Sequence, residues 1–187
     1  SILIRANIHL KDIAKSIRED LPEDLVKRMN KTEKTLGELW DPYSGQYYSR
    51  DFITHRLLKT PSVATLLPLY AGSITHERAE HLVKLLESAN GFGPAYPVPS
   101  VPLDSTWFHA KLYWQGPSWV NMNWLIIDGL KRYGFEEHAA ALRETTLEMV
   151  AKSGCSEYFD PLTGEAAGAD NFSWTAALAI DLLKTKK

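Results

Sequence analysis

A single cysteine, Cys155, occurs among the 187 residues, so an internal disulfide framework is impossible and a reducing compartment is compatible with the chain. No uninterrupted apolar stretch approaches the roughly 20 residues that a bilayer-crossing helix needs. The first residues also lack a basic region followed by a small-residue cleavage site. A soluble, cytoplasmic protein with no membrane partner is the expectation. Runs of like charge are absent too: 21 basic and 23 acidic residues are interspersed to a net charge of -2, leaving no stripe that could neutralise a phosphate backbone. Nucleic acid is therefore not an expected partner. There is no Gly-rich phosphate loop and no Gly-x-Ser-x-Gly elbow, and the six histidines are scattered, with His76 and His81 five apart rather than on one helix face. Neither a metal nor a cofactor is expected.

What is present is a core-forming composition, 44% hydrophobic, with six Trp, eight Tyr and six Phe. At roughly 100–200 residues per domain, the length suits one domain or part of a larger one. Charge-poor and charge-rich helical segments alternate along it. Pro61 to Ala71 carries no charge, whereas Thr75 to Ala89 sets Glu77, Arg78, Glu80, Lys84 and Glu87 around an apolar stripe. Ser118 to Leu130, apolar on nearly every face, precedes amphipathic Glu136 to Lys152, with Gly134 as the stop between them. Ile2 to Arg18 and Pro22 to Leu39 form a third pair, and Phe172 to Lys184 is an apolar helix with no partner after it.

An inner helix touching protein all round and an outer one touching water on one side predict an all-α toroid of helical hairpins; an ordinary bundle or a repeat array is the alternative. The aromatic loops at 40–60, 90–115 and 154–171 favour the toroid, because long loops in compact domains usually carry function. With about three and a half hairpins the chain makes only part of a ring and should expose the apolar flanks of its first and last helices. Strand signals are limited to Gln46-Tyr47-Tyr48 and two turns of one pattern, Asp41-Pro-Tyr-Ser-Gly45 and Asp160-Pro-Leu-Thr-Gly164, read as a repeated turn type rather than a binding motif.

Three segments could carry chemistry. The run Tyr113-Trp-Gln-Gly-Pro-Ser-Trp-Val-Asn-Met-Asn-Trp124 clusters rings and amides at a helix N-terminus, which suits stacking on pyranose faces and gripping hydroxyls. Equally, it suits a buried aromatic core in which Asn121 and Asn123 are satisfied internally. Glu157 lies between aromatics in a loop, where a carboxylate is tuned by desolvation and by nearby donors, or is simply solvated. The third segment, Tyr96 to Trp107, is stiffened by Pro97, Pro99 and Pro102 and leads to Asp104; a rigid connector is its simplest reading.

Taken in order, the run from Tyr113 to Trp124, Ser156-Glu-Tyr-Phe-Asp-Pro and Asp170-Asn-Phe-Ser-Trp-Thr-Ala resemble the C-terminal half of glycoside hydrolase family 63 catalytic domains. Within that family they are most similar to hydrolases of mannosylglycerate and glucosylglycerate. The resemblance extends from the Trp40-Asp-Pro-x-x-Gly-x-Tyr-Tyr turn onward. It implies that residues 1–187 are the C-terminal part of one (α/α)6 barrel, about half of the ring, whose partner is the missing N-terminal half in the same or a separate chain. It also implies an inverting, exo-acting hydrolase that releases a hexose from a small α-glucoside or α-mannoside. Glu157 would be the general base, and Tyr113, Trp114, Gln115, Gly116, Trp119, Tyr158 and Trp174 would bind the carbohydrate. Two features depart from the family pattern. Gln115 stands where many members carry Arg, and no segment matches the motif of the catalytic acid, so Asp41, Asp51 and Asp104 are not assigned that role. A trehalase-type α-glucosidase and a non-catalytic carbohydrate-binding half-barrel are the alternatives.

Overall fold

The expected helical hairpins are present in the computed structural model, which describes residues 1–184. The first is α1 (Ile2–Ile17) with α2 (Glu23–Gly37). Arg18, at φ 59, ends α1 in a left-handed cap whose N–H bonds back to Ala14 and Lys15. Pro22 precedes α2, where its missing N–H costs no helical bond. The second inner segment differs from expectation. Residues 61–71 form a 3-10 turn (Val63–Leu66) followed by the one-turn α3 (Pro68–Ala71), because Pro68 has no N–H to continue a single hydrogen-bond ladder. Thr75 then caps α4 (His76–Glu87), its hydroxyl accepting from the Arg78 N–H. The third hairpin is α5 (Val120–Arg132) with α6 (Glu136–Ser153), and α7 (Ser173–Lys184) ends the described chain.

The layering follows the charge alternation. Helix α5 packs on α3 and on α7, and α3 packs on α1, so the charge-poor helices form one row. Helix α2 lies against α1, and α6 lies against α5 and α7. Leu66, Leu69, Leu82, Ile126 and Leu130, all fully buried, form the middle of a core that also takes Ala79, Val83 and Leu86 from α4. The two ends of the row stay uncovered. Ile2, Leu3, Leu10, Ile13 and Ile17 of α1 and Ile180 and Leu183 of α7 are exposed, an apolar surface that water disfavours. Among the described residues no helix is long and apolar enough to cross a membrane.

Among the described residues, three two-stranded antiparallel sheets interrupt the helical pattern, more strand than the sequence signals suggest. Strands β1 (Trp40–Asp41) and β2 (Gln46–Tyr47) follow α2, and β5 (Tyr158–Phe159) and β6 (Ala166–Ala167) follow α6. Both are closed by the Asp-Pro-x-(Ser/Thr)-Gly turns, in which the glycine N–H bonds the aspartate carbonyl at 2.9 Å in one and 2.8 Å in the other. Gly45 and Gly164 take φ 65 and 72, the left-handed region that favours glycine. Strands β3 (Ser49–Arg50) and β4 (Leu57–Leu58) form the third hairpin, whose loop is held by Asp51 accepting from the Thr54 N–H and hydroxyl.

Asp41 is buried within the first turn. The Ser44 hydroxyl, 2.7 Å from its carboxylate, and the Lys59 ammonium, at 3.0 Å, hold its carboxyl below the usual carboxylate range. A carboxyl depressed on folding stabilises the fold above its unfolded value, here near 3.8, and that contribution is lost as pH falls through the lower folded value. Asp41→Asn is therefore expected to lower the urea midpoint at neutral pH, with the gap to wild type narrowing as the pH drops below 3.8. A gap independent of pH would show that Asp41 acts by shape alone.

Candidate active site

The chain entering α5 and the hairpin following α6 are stitched together before either contributes a side chain. Ser118 and Phe159 exchange both backbone hydrogen bonds, at 2.8 and 3.0 Å, with Phe159 fully buried beneath them. That bridge sets Trp119 beside Tyr158, their ring centroids 5.0 Å apart. Tyr113 packs edge-on to Trp119 at 5.2 Å and to Tyr158 at 5.7 Å. Trp114 stacks flat on Trp119, 4.0 Å away at an interplanar angle of 2°. Trp119 is 3% exposed and Trp114 40%, so Trp119 forms the base of this aromatic wall and Trp114 its solvent face. The Trp119 indole N–H donates to the Tyr113 carbonyl at 3.2 Å, and Tyr113 itself sits at φ 40, a strained value for a residue with a Cβ.

The connector from Tyr96 to Pro102 holds the wall from behind. The Ser118 hydroxyl donates to Tyr96 O, the Ser100 N–H to Pro117 O, and the Gly116 N–H to the Ser100 hydroxyl. Gly116 is buried with its α-carbon against the His109 backbone, leaving no space for a side chain, so it shapes the loop without offering a group to a ligand. Gln115 bonds through its backbone to Leu112 and His109 and exposes its side chain. Asn123 is wholly buried and bonds Val98 N–H, Pro97 O and the Thr146 hydroxyl, which settles it as an internal amide.

Glu157, half-buried, directly precedes β5. Its N–H donates to Ala169 O at 2.9 Å, and the Ala169 N–H donates back to its Oε2 at 3.1 Å. The same stretch anchors α7: Phe172 N–H bonds Cys155 O, and the Thr175 hydroxyl bonds Ser156 O. Trp174, at the start of α7, pairs with Phe172 and is half-exposed; it joins the neighbourhood of Glu157 through the backbone rather than through the ring cluster. Lys111 and Glu165 form a 2.5 Å ion pair between the loop before Tyr113 and the Glu157 hairpin. The hydrogen bond raises the lysine pKa and lowers that of the glutamate. Asp41 and Asp51 are occupied by their own turns, and Asp104 is exposed at the end of the connector. Among the described residues no cluster of three or more His, Cys, Asp or Glu is placed to hold a metal ion.

A carboxylate pinned through one oxygen beside a wall of stacked rings is an arrangement that can take a proton next to a pyranose. Residues 1–175 match the family model of the mannosylglycerate hydrolase MGH1-like glycoside hydrolase domain. The chain belongs to that family. Among its relatives, a mannosylglycerate hydrolase of Thermus thermophilus is 38% identical over 180 residues, covering 96% of this chain and 43% of that protein. A glucosylglycerate hydrolase of Mycolicibacterium hassiacum is 34% identical over 152 residues, 78% of this chain and 34% of that one. The crystal structure of a family 63 mannosylglycerate hydrolase from Thermus thermophilus in complex with glucose superposes with a TM-score of 0.90 at 36% identity, over 99% of this chain and 46% of that one. The match thus spans between about a third and just under half of the length of these relatives.

Proposed function

We propose that the chain is the base-bearing half of an inverting, exo-acting glycoside hydrolase that releases a hexose from mannosylglycerate or glucosylglycerate. The observation that carries this reading is Glu157 held by Ala169 next to the wall of Tyr113, Trp114, Trp119 and Tyr158. The names of the relatives point to the same substrate class. Residues 1–187 would then be the C-terminal part of a single (α/α)6 domain. The exposed faces of α1 and α7 are where the remaining helices would close the ring, and the catalytic acid would come from them.

In this mechanism the sugar lies on the rings, which exclude water from one side and fix the anomeric carbon. Glu157 takes a proton from a water on the face opposite the glycosidic oxygen, and the water oxygen bonds to the anomeric carbon as the glycosidic bond breaks. The acid gives its proton to the departing glycerate oxygen. An inverting pair of carboxyls stands roughly 6.5–9.5 Å apart to admit that water. Gln115 is an uncharged amide beside the wall and would meet hydroxyls or the glycerate carboxylate as a hydrogen-bond partner rather than as a counter-ion.

The test is substrate range in the complete protein. Hexose and glycerate are expected from α-mannosylglycerate or α-glucosylglycerate, with trehalose left intact. Faster turnover of trehalose would replace the reading with a trehalase-type enzyme. Sugar binding without turnover of any of the three would favour the non-catalytic carbohydrate-binding reading.

A further inference from the structure

We infer that Gly168 is a positioning residue for the Glu157 carboxylate: the site works only with a residue that has no side chain at this point of the hairpin. The inference rests on Glu157 being the general base. The β5–β6 register pairs Phe159 with Ala166 and Tyr158 with Ala167; Gly168 follows the end of β6, where the Glu157 N–H passes it to bond Ala169 O. The Glu157 side chain folds back over that glycine to reach the Ala169 N–H. A Cβ on Gly168 would lie 2.7 Å from Glu157 Oε2, 2.8 Å from Glu157 Cβ and 2.7 Å from Tyr158 Cε1. None of these separations is tolerable between non-bonded atoms, and the atoms met are those of the base and of a ring in the aromatic wall. One methyl group would therefore displace both at once.

Glycine is also needed for its backbone, since φ is 77 there. That strain and the crowding can be separated. Gly134, at φ 79, carries the same backbone demand with nothing within 4 Å of an added Cβ, in the turn between α5 and α6. The clamp has a chemical consequence. Glu157 meets Ala169 twice, through its own N–H and through Oε2, so the backbone and the carboxylate are referenced to a single residue. Among the described residues Oε1 has no partner, which leaves it as the oxygen that takes the proton from water.

The experiment compares Gly168→Ala, Gly134→Ala and Glu157→Gln in the complete protein on whichever glycerate glycoside it hydrolyses, reading kcat, KM and the thermal midpoint. Displacing a catalytic group by about 1 Å costs on the order of 10²-fold, so Gly168→Ala is expected to lose about that in kcat, with a smaller rise in KM because the Tyr158 ring moves as well. Gly134→Ala should keep kcat within about twofold and lose some thermal stability, though less than Gly168→Ala, because it shares only the backbone strain. Wild-type kcat in Gly168→Ala beside an inactive Glu157→Gln would overturn the positioning role and leave the base assignment standing. An active Glu157→Gln would overturn the base assignment itself. If Gly168→Ala fails to fold, Ala169→Pro removes the donor N–H without adding an atom to residue 168. It should also lose kcat while keeping KM, and wild-type kcat there would overturn the proposal.

Discussion

Glu157→Gln in the complete protein is expected to lower kcat by about 10²–10⁴-fold, the range a positioned general base contributes. The substitution is close to isosteric. Its amide oxygen can still accept the Ala169 N–H that Oε2 accepts now, so the hairpin and its register persist. What is lost is the ability to take a proton from water. On the proposed reading the sugar is held by the wall of Trp114, Trp119, Tyr113 and Tyr158, none of which touches the altered group through a hydrogen bond, so KM should stay within about threefold. Steady-state kinetics check both numbers together. A fall in kcat accompanied by a large rise in KM would instead make Glu157 a ligand for the sugar hydroxyls.

The second large effect is on stability. Asn123→Ala is expected to destabilise the protein by at least about 2 kcal/mol, because each of the two buried polar groups left without a partner costs about 1–3 kcal/mol. Asn123 is fully buried, and its amide bonds Val98 N–H at 2.9 Å, Pro97 O at 2.7 Å and the Thr146 hydroxyl at 3.0 Å. Alanine leaves Val98 N–H and Pro97 O without this partner, while the Thr146 hydroxyl keeps its bond to Leu142 O, and it opens a cavity between α5, α6 and the connector. Consequences reach the site, since that connector carries Tyr96 and Ser100, which hold Ser118 and Gly116 behind the aromatic wall. Urea unfolding measures the loss. A change below about 1 kcal/mol would mean that water replaces the amide in this network.

The amide at position 123 illustrates what the sequence does and does not disclose. Its spacing within Trp119-Val-Asn-Met-Asn-Trp124 is equally compatible with a sugar-binding group and a core group, because both need an amide near rings. Only the path of residues 96–102, drawn across α5 by contacts remote in sequence, decides between them. The alternation of inner and outer helices is legible because burial on all sides excludes charge, and a segment such as 118–130 records that directly. Helix α3 is not, since its apolar composition conceals the break that Pro68 imposes. The uncovered flanks of α1 and α7 follow from counting hairpins, and the exposed Ile13, Ile17, Ile180 and Leu183 are where that count places them.

The hairpins are half legible. The Asp-Pro-x-(Ser/Thr)-Gly pattern identifies a repeated turn, and two-residue strands leave no alternation to detect beyond it. Counting outward from such a turn fixes the register of Tyr158 and Phe159, but the ladder ends at Ala167 and the Glu157 N–H bonds Ala169 O, so the approach of Gly168 to Glu157 is not set by the count. Glu157 and the aromatic run are visible as individual residues, but the bridge between Ser118 and Phe159 that brings them together spans 41 positions and leaves no local trace.

The most direct test of the account is a proton NMR time course of α-mannosylglycerate and α-glucosylglycerate with the complete protein, recording which anomer of the free hexose appears before mutarotation. Water delivered by Glu157 from the face opposite the leaving oxygen yields the β-anomer first. Initial appearance of the α-anomer would mean retention through a covalent intermediate, and would contradict the assignment of Glu157 as an inverting base.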